Sequence, residues 1–296
     1  MKYLFITGLR RSGTTAVANF LNSQEEITVY RDYLNFLRQI PMLYKIEDLE
    51  RRKNILLRNA KSEIQSIVGI TPELRYEKDY KIYDIYKDCL DPIKEKGDVM
   101  IGHKITESLP IAKLFLEEDN FKCIYVLRDV RDVIGSAKNY ILDYDIVKQV
   151  KLWKDEILEI NNLSNKNNFL VIKYDDFVKQ SNKKEIEQFI QQKINWNIKE
   201  FKDRKSPEWV GNTSYSEYEN KDLKGIYSKS LQKWPSKINN DEDIQYAEYI
   251  CRTELLDLGY ELSNIQYSFF EKLKFNFRKR SSHSKQILKD LIRKVL

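Results

Sequence analysis

Short apolar runs alternate with amphipathic stretches along the first two thirds of the chain. Runs that contain β-branched and aromatic residues predict buried strands, and apolar residues that recur every three to four positions predict helices. The predicted strands are 3–6, 98–102, 121–127 and 169–172, with a further strand-like patch at 27–30. Because strands and helices alternate, we expect an α/β fold with a central parallel sheet flanked by helices.

Residues 32–96 predict a helical insertion beside that sheet. The insertion contains four tyrosines at helical spacing, Tyr76, Tyr80, Tyr83 and Tyr86. Such a stripe is more typical of core packing than of a ligand wall. Beyond residue 180 the pattern is mostly helical, with clear segments at 185–192 and 241–258. The polar stretch 206–240 predicts a long loop, which is usually functional or disordered.

The positive charge of the chain is concentrated at its C-terminal end. The net charge is +6 over 296 residues, yet residues 271–296 alone carry nine Lys or Arg against two acidic side chains. We therefore expect one domain over 1–270 and a basic amphipathic tail over 271–296. The tail predicts either a packed terminal helix or contact with an acidic membrane or polyanion, whereas the near-neutral remainder argues against a nucleic-acid groove.

Three scattered cysteines and the lack of an apolar run of about 18 residues predict a cytosolic protein with reduced thiols. With two histidines in the whole chain, a histidine-rich metal centre is excluded.

The stretch 5–15, FITGLRRSGTT, predicts a strand that runs into a glycine-bounded loop and then a helix. The first amides of a helix have no internal partner and attract anions, and glycines let the backbone approach closely. The spacing matches the nucleotide P-loop, G-x-x-x-x-G-K-[ST], except that Thr14 replaces the lysine. Positive charge comes instead from Arg10 and Arg11, within the loop.

The sequence R-S-G-T-T after a first strand resembles the phosphosulfate loop of sulfotransferases that use 3'-phosphoadenosine 5'-phosphosulfate. A second element, Arg128-Asp129-Val130-Arg131-Asp132 with Ser136, is similar to the family's 3'-phosphate element, with Val130 in place of the usual proline. Ser136 is expected near the start of a helix that carries 134–140. The alternative interpretation of this element is that Asp129 or Asp132 neutralises Arg128 within the protein.

The resemblance implies a P-loop NTPase-like fold and transfer of a sulfuryl group to a hydroxyl or amine, with adenosine 3',5'-bisphosphate leaving and no metal required. It implies that Tyr174 reaches the adenine. The loop residues implied to hold the sulfate or 5'-phosphate are Arg10, Arg11, Ser12, Gly13, Thr14 and Thr15. The late-loop residues implied to cover the nucleotide are Ser228, Lys229 and Ser230, where the family's arginine-lysine-glycine version is absent.

Arg11 would stabilise the leaving group, and Lys104 matches a lysine frequent in the family. Three residues compete for the general base: His103, Asp32 and Glu107. His103 is preferred to Asp32 because its ordinary pKa of about 6.5 suits base catalysis near neutrality, although both can be structural.

The acceptor of the sulfuryl group is expected to be a small metabolite or a saccharide, and it is expected to bind on the side of the helical insertion 32–96. The alternatives are a nucleotide-dependent kinase, which would need magnesium, or a non-catalytic protein that binds glycans or membrane surfaces on a nucleotide-binding fold.

Overall fold

The computed structural model describes residues 1–31, 34–43, 45–68, 81–138, 144–198 and 231–279. Internal contacts divide the chain into two compact units. The first comprises Met1–Leu127 and Leu163–Ser228, and the second comprises Arg128–Asn162 and Lys229–Leu296. The predicted bounds of one domain over 1–270 and a tail over 271–296 stay a prediction.

Five parallel strands form the sheet of the first unit. They are β1 (Lys2–Thr7), β2 (Ile27–Arg31), β3 (Met100–Lys104), β4 (Phe121–Leu127) and β5 (Phe169–Lys173), in the order β2-β3-β1-β4-β5. This confirms the parallel α/β sheet, and the patch at 27–30 is a full edge strand that pairs with β3. Since β3 runs to Lys104, both His103 and Lys104 lie inside a strand and not after one.

Helices accompany the strands in the order that the pattern predicts. Those of the first unit are α1 (Thr14–Asn22), α2 (Ile40–Leu43), α3 (Leu49–Val68), α4 (Ile82–Leu90), α5 (Leu109–Phe115), α8 (Tyr174–Lys179) and α9 (Lys183–Ile190). Those that begin in the second unit are α6 (Val130–Ala137), α7 (Ile146–Leu163), α10 (Glu242–Ile250), α11 (Arg252–Asp257) and α12 (269–279). The described residues between β2 and β3 are largely helical.

Two helices of the second unit differ from the predicted pattern. The single helix expected over 241–258 is interrupted at Cys251, whose backbone leaves the helical region, so α10 and α11 are separate. The helix expected over 134–140 begins four residues earlier, because the carboxylate of Asp129 accepts a hydrogen bond from the Arg131 amide and caps α6. Ser136 therefore lies in the last turn of α6 and not near its start.

An aromatic cluster fills the core of the first unit. The rings of Tyr83 and Tyr86 on α4 pack around Phe5 of β1, Phe115 of α5 and Phe121 of β4, with ring centroids between 5.1 and 6.2 Å apart. Tyr83 and Tyr86 are both buried. Packing is thus confirmed for these two tyrosines, while Tyr76 and Tyr80 lie outside the described residues.

Several predicted features lie outside the described residues: Asp32, most of the loop 206–240 with Ser228, Lys229 and Ser230, and the tail beyond 279. Across the described ranges, none of the helices combines the length and apolar character that a bilayer span requires.

Candidate functional site

The loop between β1 and α1 depends on two glycines that bring its backbone against neighbouring atoms. Gly8 has a φ of 150°, and a Cβ there would lie 2.4 Å from the carbonyl oxygen of Val126. Gly13 has a φ of 98°, and a Cβ there would lie 2.2 Å from the Tyr174 ring. Real Cβ atoms do not approach so closely, so any other residue would push the loop away from β4 and α8.

The end of the loop fits an anion. Helix α1 has no side-chain cap and no acidic residue in its first turn, so its first amides and their partial positive charge are left to a ligand. The hydroxyl of Ser12 is buried and has no hydrogen-bond partner among the described residues. Buried hydroxyls are nearly always hydrogen-bonded, so this one indicates a missing acceptor. Thr14 is also buried beside it.

Two residues near this loop adopt a left-handed backbone without being glycine. Arg11 has a φ of 69° and Glu107 has a φ of 55°. Each such conformation costs about 1 kcal/mol, and strain of this kind concentrates at functional sites. The left-handed backbone at Arg11 therefore marks this turn as a candidate functional turn.

Glu107 lies beside the loop although it is distant in sequence. Its amide donates to the Gly8 carbonyl at 2.9 Å, and its Oε2 lies 3.2 Å from Arg10 Nε. Its Oε1 is buried without a hydrogen-bond partner among the described residues. One carboxylate oxygen therefore pairs with Arg10, and the other faces no hydrogen-bond donor in the described part of the chain.

His103 is enclosed by the aromatic cluster. Its ring packs edge-on against Phe5 at 4.7 Å, and its Nδ1 lies 3.1 Å from the Tyr86 hydroxyl. It has no exposed surface, and burial, followed by the charges of Lys104 and Arg38, lowers the pKa of His103 to about 3. A side chain with so low a pKa and no accessible surface is a poor general base. Lys104 is buried as well.

Tyr174 is the first residue of α8, and its buried ring covers Gly13. The same contact that excludes a side chain at position 13 fixes the ring at the loop. An aromatic face next to an anion cradle is suited to a nucleotide base.

The second unit contains the predicted arginine element. Arg128 follows β4 directly, and its Nη2 lies 3.6 Å from Asp132 Oδ2. The alternative interpretation of the motif, in which an acidic residue of the chain neutralises Arg128, therefore has a carboxylate in place. The carbonyl of Arg128 accepts a hydrogen bond from Trp153 Nε1 at 3.0 Å, which fixes its backbone on α7. Arg128 is buried, with 8% of its surface exposed.

Sequence reasoning missed a buried charge network around Arg131. This side chain bonds to Asp129 at 2.6 Å, to Glu248 at 2.5 Å and to the Glu261 carbonyl at 2.7 Å. Its guanidinium also stacks on Trp234, 3.5 Å from the ring centroid. The second arginine of the motif was the available signal, but three of its four partners, Glu248, Glu261 and Trp234, lie over 100 residues away in the sequence.

The network anchors the segment that follows residue 230. The Trp234 amide donates to Asp132 at 2.9 Å, so both acidic residues of the motif are engaged with the late segment or with Arg131. The Asp132 carboxylate thus contacts both the Trp234 amide and the Arg128 guanidinium. Within the described ranges, no cluster of three metal-ligating side chains occurs.

The chain resembles known proteins both in sequence and in fold. Residues 4–192 match the sequence model of a family described as Sulfotransferase family. The chain is similar to the sulfotransferase domain of the olefin synthase from Synechococcus PCC 7002, with 18% identity and a TM-score of 0.57 over 89% of this chain and 96% of that one. It is also similar to the sulfotransferase domain from the curacin biosynthetic pathway, with 14% identity and a TM-score of 0.53 over 88% and 99%.

No curated protein sequence matches this chain. The two structural likenesses show the P-loop-like fold, which the sequence predicted.

The contact at Gly13 can be tested against a matched glycine. Gly13→Ala should lower the free energy of unfolding by more than Gly97→Ala, because Gly97 has a similar φ of 101° but open space where its Cβ would lie. We expect about 1 kcal/mol for Gly97→Ala, from backbone strain alone, and at least twice that for Gly13→Ala. Urea denaturation measures both, and equal losses would contradict the proposed ring contact.

The buried neutral state of His103 predicts a pH dependence of stability. Because the pKa of His103 is lower in the folded than in the unfolded protein, the unfolded chain binds more protons between about pH 6.5 and pH 3, and stability falls on acidification. Acidification from about pH 7 to pH 5 should lower the free energy of unfolding by about 2 kcal/mol through the protonation of this histidine in the unfolded chain. His103→Asn should remove that part of the pH dependence in denaturation experiments, and an unchanged slope would show that His103 is not held neutral.

Proposed function

Because this chain belongs to the sulfotransferase family, we propose that it transfers a sulfuryl group from 3'-phosphoadenosine 5'-phosphosulfate to a hydroxyl or amine of a small metabolite or saccharide. The observation that carries the proposal is the glycine-bounded cradle at the start of α1, with the buried hydroxyl of Ser12. The donor supplies the sulfuryl group and leaves as adenosine 3',5'-bisphosphate.

The loop residues are suited to the phosphosulfate end of that donor. Ser12, Thr14 and Thr15 offer hydroxyls, and the helix amides offer N–H donors toward the same anion. Arg11 supplies positive charge where the leaving oxygen becomes negative. Since an arginine side chain keeps its proton, Arg11 acts electrostatically and not as an acid.

We assign Arg128 and Ser136 to the 3'-phosphate, by their match to the family's motif. The 3.6 Å distance between Arg128 and Asp132 is longer than a close ion pair, so a phosphate can compete for the guanidinium. Tyr174 is proposed to contact the adenine, and Ser228, Lys229 and Ser230 to cover the nucleotide.

Glu107 is the general base that the geometry supports best. Its Oε1 lacks a hydrogen-bond partner among the described residues and its side chain is 21% exposed at the edge of the loop. His103 Nε2 also lacks a partner, but His103 has no exposed surface. A base beside the loop can take the acceptor's proton as the acceptor oxygen or nitrogen attacks the sulfur. Asp32 lies outside the described residues and remains an alternative, and Lys104 is proposed to lie close to the transferring group.

We also propose that the enzyme acts in the cytosol. Cys89, Cys123 and Cys251 are buried thiols, and none of the three forms a disulfide. Reduced thiols of this kind are typical of reducing compartments.

Calorimetry of nucleotide binding tests the donor assignment. Adenosine 3',5'-bisphosphate should bind more tightly than AMP or ATP, and magnesium should not be required. Arg128→Ala should reduce the preference for the 3'-phosphorylated nucleotide over AMP by about 10- to 100-fold, the worth of a charged hydrogen bond. The exposed Arg252→Ala is the control and should leave this ratio unchanged. Equal affinity for ATP, or a need for magnesium, would favour a kinase.

A kinetic comparison tests the base. Glu107→Gln should lower kcat for sulfuryl transfer by about 100-fold or more with little change in the KM for the donor, because a base acts in the chemical step. Glu117→Gln, an exposed carboxylate after α5, should have no effect. If His103→Asn abolishes transfer in a folded enzyme while Glu107→Gln does not, the assignment to Glu107 fails.

A further inference from the structure

Helix α12 carries an exposed apolar face that the proposed reaction does not use. Phe269 is 72% exposed, Phe270 79%, Phe277 61% and Leu273 42%. At about 100° per residue, these four positions fall within an arc of about 100° on the helix. The helix therefore presents one contiguous apolar stripe to its surroundings.

The opposite face of α12 fixes the orientation of that stripe. Phe275 is buried and packs against Tyr246, Tyr249 and Tyr267, with ring centroids 5.5 to 5.7 Å apart. Arg278 forms an ion pair with Asp243 at 2.7 Å. The helix is thus held against α10, and its outward direction is set by packing.

Cations flank the stripe on both sides. Helical spacing places Lys272 and Lys279 along one edge, and Lys274 and Arg278 along the other. Lys274 and Arg278 already form ion pairs with acidic residues of α10, whereas the other edge is exposed. Residues 271–296 together carry a net charge of +7.

This combination of an apolar face with flanking lysines is typical of helices that lie in a membrane interface. A protein partner is a poorer match, because the cores of protein interfaces are depleted in lysine. A second copy of the chain would bring the same positive charges together and would be repelled.

We propose that α12 binds an anionic phospholipid surface, with its four apolar side chains inserted at the headgroup boundary and its flanking cations near the lipid phosphates. From the sequence, the basic tail as a whole was either a packed terminal helix or a contact with an acidic membrane or polyanion. The structure identifies the aromatic stripe that would enter the lipid. This binding is independent of sulfuryl transfer.

Co-sedimentation of the full chain with lipid vesicles tests the proposal. The protein should bind vesicles of equal parts phosphatidylcholine and phosphatidylglycerol, and raising the salt concentration should weaken binding. Phe270→Ser with Phe277→Ser should lower the partition coefficient by about tenfold or more. Met42→Ser and Leu158→Ser remove equally exposed apolar side chains elsewhere and should leave binding unchanged.

The charged edge gives a second, independent comparison. Lys272→Gln with Lys279→Gln should weaken binding to the anionic vesicles and leave binding to pure phosphatidylcholine unchanged. The proposal is overturned if the wild-type chain does not sediment with anionic vesicles, or if the phenylalanine variant binds them as well as the wild type, which would assign binding to residues 280–296. It is also overturned if the wild-type chain dimerises in solution and the phenylalanine variant is a monomer, because the stripe would then be a protein interface.

Discussion

The anion cradle depends on how closely the backbone of one turn can approach its neighbours. At Gly8 the chain passes under the carbonyl of Val126, and at Gly13 it passes under the ring of Tyr174. These two contacts hold the start of α1 against β4 and α8, next to the unpartnered hydroxyl of Ser12.

Much of this arrangement could be read from the sequence, because it follows from local rules. Strand β4 was predicted with its bounds, because six of its seven residues are apolar and four of them are β-branched or aromatic. The loop, the start of α1 and the packing of Tyr83 and Tyr86 followed from spacing alone. Each of these depends on residues that are neighbours in the chain or on the repeat of one helix.

What sequence reasoning could not provide were contacts between distant residues. The pairing of Arg10 with Glu107 joins two loops about 100 residues apart, and it changes the order of candidates for the base. His103 had the ordinary pKa of a good base, yet its position in β3 buries it against Phe5 and removes that property. The partners of Arg131 were hidden for the same reason, and Ser136 was misplaced within its helix because the capping role of Asp129 was overlooked.

The cradle uses main-chain amides as well as side chains, so its form depends only in part on the sequence of the loop. Main-chain amide donors are present whichever side chains the loop carries. The loop therefore requires small residues at two positions and a hydroxyl or a cation at a few others. The same fold persists in chains that are only 14 to 18% identical to this one.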